Sequence, residues 1–182
     1  MRHFSIILFI TVFFSISCKK NNSQDNIDRD FVKGDVLVGI DSTVQLEQLF
    51  SYVNSYSLTI DEINGFYYTT TIPKDSIPYI KSILNSKPYI NTRGFSASIW
   101  PHYQTDIVHN TTTLWDMSTS NQQDYIQTKF LLRMTDMLFT TKNMLIKVST
   151  GQEIFWRNLF KTFPWVRWTD LNWIGGIELL GR

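Results

Sequence analysis

Cysteine is almost missing from this chain of 182 residues, with Cys18 the single example. An internal disulfide or a cysteine-held metal cluster is therefore excluded, and packing alone must hold the fold. Excess charge is missing too. Lys and Arg number 17 against 16 Asp and Glu, so there is no basic field of the kind that attracts nucleic acid. The longest apolar run, Phe4 to Ile16, falls short of the roughly 20 residues of a permanent membrane-spanning helix. Glycines number eight, and none builds a Gly-x-x-x-x-Gly-Lys phosphate loop; Thr150-Gly151 and Gly175-Gly176 are too sparse to cradle phosphate. No Gly-x-Ser-x-Gly turn presents a nucleophilic serine. Asp61 and Glu62 are neighbours in an expected strand and point to opposite faces, which is wrong for shared acid-base work. The expectation is a protein that is not an enzyme and holds no cofactor.

What is present begins with an address. Met1-Arg2-His3 followed by the short apolar run reads as an export signal. Its end, Ser15-Ile16-Ser17-Cys18, resembles the lipobox of bacterial lipoproteins. That resemblance implies cleavage before Cys18, a diacylglycerol on its thiol and usually an acylated amine, and more than one acyl chain gives durable membrane anchoring. Removal of residues 1–17 loses Arg2 and leaves the two signs of charge equal in number. Lys19 rather than Asp follows the cysteine, and Asp there signals inner-membrane retention in enteric bacteria, so the expected location is the outer membrane of a Gram-negative envelope. Residues 18–30 contain one apolar side chain, Ile27, too little to offset the cost of ordering, and read as a flexible tether.

Beyond the tether the pattern is α+β. Asp35 to Ile40 is a short β-rich run, and Ser42 with Gln45 suggests a capping box for a helix carrying Leu46, Leu49, Phe50 and Val53. Ser57 to Ile63 alternates, and Asn64-Gly65 supplies the positive φ angles of a hairpin into the aromatic, β-branched strand Phe66 to Ile72. Pro73 closes that strand. Asp75 or Ser76 caps a second helix with Ile77, Ile80, Ile83 and Leu84 on one face, and Pro88 ends it before Tyr89-Ile90. The order β-α-β-β-α-β predicts a ferredoxin-like layer over residues 31–102, with both helices on one face of the sheet. The polar stretch Tyr103 to Asn110 reads as the boundary to a second α+β unit, 103–182, packed on the first. Thr111 to Trp115 suits a strand. Asp124 to Met137 suits either a helix or a buried strand, and the spacing slightly favours the strand. Thr150 and Glu153 offer another capping box before Phe155, Trp156, Leu159, Phe160 and Phe163, and Trp165 to Trp168 is the last clear strand before the Gly175-Gly176 turn into Ile177 to Leu180. Met144 to Leu171 follows the order of the first strand-helix-strand unit at constant offset, Ile72 with Val148, Tyr79 with Phe155, Lys81 with Arg157 and Pro88 with Pro164. Either a duplication or two ordinary units of similar length fits.

The Gly34-Asp-Val-Leu-Val opening, helix, turn, aromatic strand, second helix and Pro-ended return through Ile90 resemble the propeptide or inhibitor domain of subtilisin-like proteases. The resemblance implies a sheet packed on the protease with Arg93 to His102 laid along its active site. No catalytic Asp, His and Ser blocks follow, so such a chain would act in trans. Two other candidate sites stand in the sequence. His102, Asp106 and His109 could offer a metal two imidazoles and a carboxylate, but at no standard spacing, and no metal is expected. Trp156, Trp165, Trp168 and Trp173 crowd the last unit, with Trp165 and Trp168 on opposite faces of one strand. They either pack against the first unit or form a binding surface for a partner protein or a glycan.

The sequence thus points to a lipid-anchored, non-catalytic interaction or assembly module whose partner is another envelope protein. A trans-acting inhibitor or chaperone of a subtilisin-like protease and a tryptophan-based glycan binder are the alternatives. Cys18→Ala should leave the precursor uncleaved and unlipidated by intact mass, and normal processing of that variant would refute the lipoprotein assignment.

Overall fold

Two antiparallel sheets and four helices share one hydrophobic core in a computed structural model that describes residues 30–94, 96–138 and 140–174. The export signal, the lipobox with Cys18, the tether up to residue 29, and the expected turn at Gly175-Gly176 with Ile177 to Leu180 lie outside the described residues. In chain order the elements are β1 (Phe31–Ile40), α1 (Leu46–Ser55), β2 (Thr59–Asn64), β3 (Tyr67–Thr70), a 3-10 turn (Lys74–Ser76), α2 (Ile77–Asn85), β4 (Ser98–Pro101), β5 (Val108–Thr111), β6 (Leu114–Met117), α3 (Thr119–Leu131), β7 (Met134–Asp136), β8 (Lys142–Lys147), α4 (Glu153–Phe160) and β9 (Val166–Trp173). No helix among the described residues is long and apolar enough to cross a membrane.

The larger sheet runs β6-β2-β8-β1-β9 and the smaller β4-β5-β3-β7. In the larger one, β8 lies antiparallel between β1 and β2, and β1 lies antiparallel between β8 and β9. Two β-α-β units, β1-α1-β2 and β8-α4-β9, are therefore interleaved. Alternation gives that sheet two distinct faces. Val36, Val38 and Ile40 of β1, Ile60 and Ile63 of β2, and Met144 and Ile146 of β8 are buried on the inner one. Leu46, Leu49, Phe50 and Val53 of α1 and Phe160 of α4 join the same core. An aromatic seam joins the two helices: Tyr52 stacks on Trp165 at 5.3 Å and Tyr56 on Phe163 at 5.2 Å.

Asn64-Gly65 does not close a hairpin. β2 pairs with β6 and β8 while β3 pairs with β5 and β7, so the glycine passes the chain from one sheet to the other. Its φ of +80° is the left-handed value that Asn-Gly favours, but a Cβ there would stand 1.9 Å from the Thr141 carbonyl oxygen. Thr141 is the last residue before β8. The chain thus leaves and re-enters the larger sheet at one crossing, and residues 65–141 form an excursion that builds the smaller sheet and adds β6 to an edge of the larger. The β-α-β-β-α-β order expected of 31–102 is accordingly spread over both sheets, and residues 31–102 and 103–182 are not separate layers.

Other expectations shift for local reasons. The segment favoured as a strand, Asp124 to Met137, is mostly α3, capped by the Ser118 hydroxyl accepting from Asn121 N–H at 3.3 Å; only Met134–Asp136 is extended. The buried side of α3 carries Gln122, Thr128 and Lys129 beside Tyr125, while Phe130 is 88 % exposed, which inverts the usual pattern. α1 starts after Gln45, whose N–H donates to Gln48 Oε1 at 3.1 Å, rather than at Ser42. The Ser42 and Val44 carbonyls instead accept from buried Lys142 at 2.9 and 2.7 Å. Tyr89-Ile90 is a buried turn, and the expected boundary stretch contributes β5 to the middle of the smaller sheet. α2 begins where expected, with Ile80 and Leu84 buried and Ile77 and Ile83 packed at the core margin. α2 and α4 start at equivalent places in the two compared units, yet β3 and β8 belong to different sheets and no strand among the described residues answers to β9.

Gly65→Ala should cost roughly 3–5 kcal/mol, since it meets backbone and a left-handed φ together. Gly94→Ala, with φ of +79° but open space around it, should cost only about 1–2 kcal/mol. Urea unfolding midpoints of the two variants check the difference, and equal losses would deny the tight crossing.

Candidate functional site

The second face of the larger sheet is the surface most clearly built for contact. β-strand alternation and the cross-strand register place Leu37, Leu145 and Trp168 there, Leu37 opposite Leu145 and Trp168 opposite Gly39. Gly39 has no side chain, and the Trp168 indole fills its place: a Cβ on Gly39 would fall 2.1 Å from the indole nitrogen. Trp168 is consequently held flat on the backbone of β1 while 44 % of it stays exposed. A rigid, half-exposed aromatic ring loses little conformational freedom when a partner covers it.

Along the same face runs a chain of charges. Asp35 accepts from Lys147 at 2.6 Å and from the Asn172 amide at 2.8 Å. Lys147 also lies 3.7 Å from Asp61, which pairs with Arg93 at 3.2 Å; Arg93 reaches Asp116 at 3.7 Å and covers the Trp115 ring at 4.4 Å. Lys147 is pushed above its ordinary pKa chiefly by its hydrogen bond to Asp35. Arg93 and Asp116 both take left-handed φ, +51° and +49°, a local cost of about 1 kcal/mol or more each that the pairing and the ring contact help to offset. The face thus combines an apolar row with a polar lattice already paired within itself.

The four expected tryptophans do not form one surface. Trp165 is 7 % exposed and belongs to the aromatic seam, stacked on Tyr52 and 5.6 Å from Phe163. Trp156 is half-buried near Tyr56, and Trp173 packs edge-on against Phe31 at 6.1 Å while its Nε1 donates to Asp170 at 3.0 Å. Only Trp168 stands on the open sheet face. His102 and His109 come together, ring centroids 5.6 Å apart, but Asp106 turns away to Lys74 at 3.1 Å. No three His, Cys, Asp or Glu side chains converge as a metal site among the described residues. Ser98–Pro101 of the expected tail is strand β4, paired with β5.

Sequence reasoning missed a second polar cluster, at an open cavity of about 490 Å³ beside α1, α3 and β7. Buried Lys129 donates to Glu47 Oε1 and to Asp136 Oδ2, each at 2.6 Å. Beneath it lie the phenols of Tyr68 and Tyr125, both pushed up by burial, so they stay protonated donors. A lysine shared by two carboxylates is a cross-link rather than a nucleophile. Its three elements come from both sheets' territories, so the cluster fastens the excursion to the main layer. The signal for it was the charge at position 129, directly before Phe130-Leu131-Leu132.

Glu153, expected in a capping box with Thr150, serves instead to seat α4 on β1. Its carboxylate accepts from Gly34 N–H at 2.6 Å and Gly151 N–H at 2.8 Å. Comparison of the chain with protein-family models, with curated proteins and with solved structures finds no match. Function must be argued from these surfaces.

Burial pushes the Glu153 carboxyl up, but the backbone N–H donors and Lys33 outweigh it and hold the group below its ordinary 4.5. A depressed folded pKa contributes stability that is complete above the unfolded value, about 4.5, and fades as pH falls through the folded one. Glu153→Gln should therefore cost roughly 1–3 kcal/mol at neutral pH, with the gap to the parent closing in acid. Urea unfolding across pH checks this, and a gap independent of pH would refute it.

Proposed function

We propose that this chain is a lipid-anchored cell-envelope protein, exported and held at the outer membrane through Cys18, that works as a non-catalytic interaction or assembly module for another envelope protein. Its framework is read as a ferredoxin-like layer in which β1-α1-β2 and β8-α4-β9 supply the four strands and residues 65–141 interrupt them. The observation that carries the reading is Trp168, laid on Gly39 and half-exposed on the sheet face opposite the helices. A face that is flat, rigid and paired within its own charges suits a protein surface, because docking on it orders few side chains. The self-paired lattice also limits the desolvation that a partner must overcome.

The protease-inhibitor reading has less support, since Ser98–Pro101 is engaged in a sheet rather than extended as a tail. A glycan platform of several tryptophans has less support for a similar reason, the burial of Trp165.

The test is site-specific photo-crosslinking in intact cells from position 170, opposite Leu37 on the same face, which leaves Trp168 in place, with position 52 in the aromatic seam as control. One stoichiometric envelope protein should crosslink from 170 and not from 52. Capture of that protein should fall at least tenfold with Trp168→Ala, and with Gly39→Ala, which displaces the indole without removing it. Undiminished capture by both variants, with unfolding midpoints near the parent's, would reject this face.

A further inference from the structure

Four exposed apolar side chains gather where the chain enters the fold. Val32 lies at the start of β1, Ile154 and Phe155 in the first turn of α4, and Ile174 just after β9. They share one end because Ile174 N–H donates to the Asp30 carbonyl at 2.8 Å, Gly34 N–H donates to Glu153 Oε1 at 2.6 Å, and Phe31 packs edge-on against Trp173. Phe155 and Ile174 are each 59 % exposed. Another exposed apolar group, Phe130 and Leu138, flanks Gln45 and Glu47 beyond the far end of β1. Ten residues of strand separate the two ends by about 33 Å.

The near end is different because the chain outside it is short and leads to Cys18. Fully extended, the stretch from Cys18 to Asp30 spans about 40 Å, and as a random polar coil it spans about 20 Å. A lipid on Cys18 would therefore keep this end, and not the far one, at high local concentration beside the bilayer. Under that constraint a patch too small to hold a free protein on a membrane becomes an effective second contact.

We propose that this end is a membrane-contact surface, in which Val32, Ile154, Phe155 and Ile174, backed by Trp173, dip into the boundary between headgroups and acyl chains of the bilayer that holds Cys18. The inference rests on the lipid-anchor reading. Aliphatic and aromatic side chains at this depth are the residues that interfacial segments use. The nearest exposed charges, Asp30 and Lys33, offset each other, so apolar insertion supplies the contact and added salt leaves it in place.

The experiment uses the full-length lipidated protein, its anchor first verified by intact mass, in vesicles of phosphatidylethanolamine and phosphatidylglycerol with dibrominated acyl chains. A fraction of the tryptophan emission should be quenched relative to plain lipid. That fraction should fall in Trp173→Phe, leaving the share of Trp156 beside Phe155, and should vanish in the double variant Phe155→Asp, Ile174→Asp, which keeps both tryptophans and replaces only exposed side chains. Equal emission in brominated and plain vesicles, for protein whose mass shows the anchor, overturns the proposal. Quenching that appears only after removal of residues 175–182 identifies the chain's own C-terminus as the cover and overturns it as well. A mass without lipid overturns the anchor reading separately. In that case the local concentration is lost and the proposal falls with the anchor, an outcome the mass tells apart from an anchored protein that shows no quenching.

Discussion

One crossing governs the molecule. At Gly65 the chain leaves the larger sheet, and at Thr141 it returns, the two backbones so close that no side chain fits between them. β8 can slide between β1 and β2 only if that return is placed to within about an ångström, because a register slip of one residue would turn Met144 and Ile146 outward. Everything between positions 65 and 141 must therefore fold into a body whose ends meet. Lys129, bridging Glu47 and Asp136, and the Asn54–Gln122 amide pair at 2.8 Å tie that body to α1. These polar contacts are partly buried and directional, so they select one docking of the excursion where apolar packing alone would tolerate several.

What the sequence made legible was local. α1 and α2 follow from the spacing of Leu46, Leu49, Phe50 and Val53 and of Ile77, Ile80, Ile83 and Leu84, and each packs by those residues. Of the expected pair Asn64-Gly65 only Gly65 takes positive φ, and φ at a turn says nothing about which strands pair beyond it; here neither neighbour pairs with the other. α3 escaped because burial of Gln122 and Lys129 answers to polar partners on other segments and Thr128 donates back to the Asp124 carbonyl, while Phe130 and Leu131 point outward. β5 escaped because its buried residues are Val108 and Asn110, only one of them apolar.

The candidate surface was half legible for the same reason. Opposite faces for Trp165 and Trp168 follow from strand alternation, and the structure sends the first into the aromatic seam and the second outward. The role of Gly39 could not be foreseen, since Gly39 meets Trp168 only through the β1–β9 register, across more than a hundred residues of chain. Glu153 shows the converse. Its position beside Thr150 fitted a local cap, but the carboxylate reaches Gly34 on another strand, because burial there offers N–H donors that no water competes for.

These placements separate two tasks. β1 runs from the end where the chain enters toward the crossing at Gly65, and Trp168 lies over Gly39, one residue short of the crossing end. On the proposed reading, an anchor at the entering end would leave the face around Trp168 free to meet a neighbouring envelope protein. Were Trp168 at the entering end, lipid and protein would compete for the same indole. Because it sits near the opposite end of β1, over Gly39, the proposed membrane attachment and partner binding would be altered independently, one by the residues around Asp30 and the other by the pair Gly39 and Trp168.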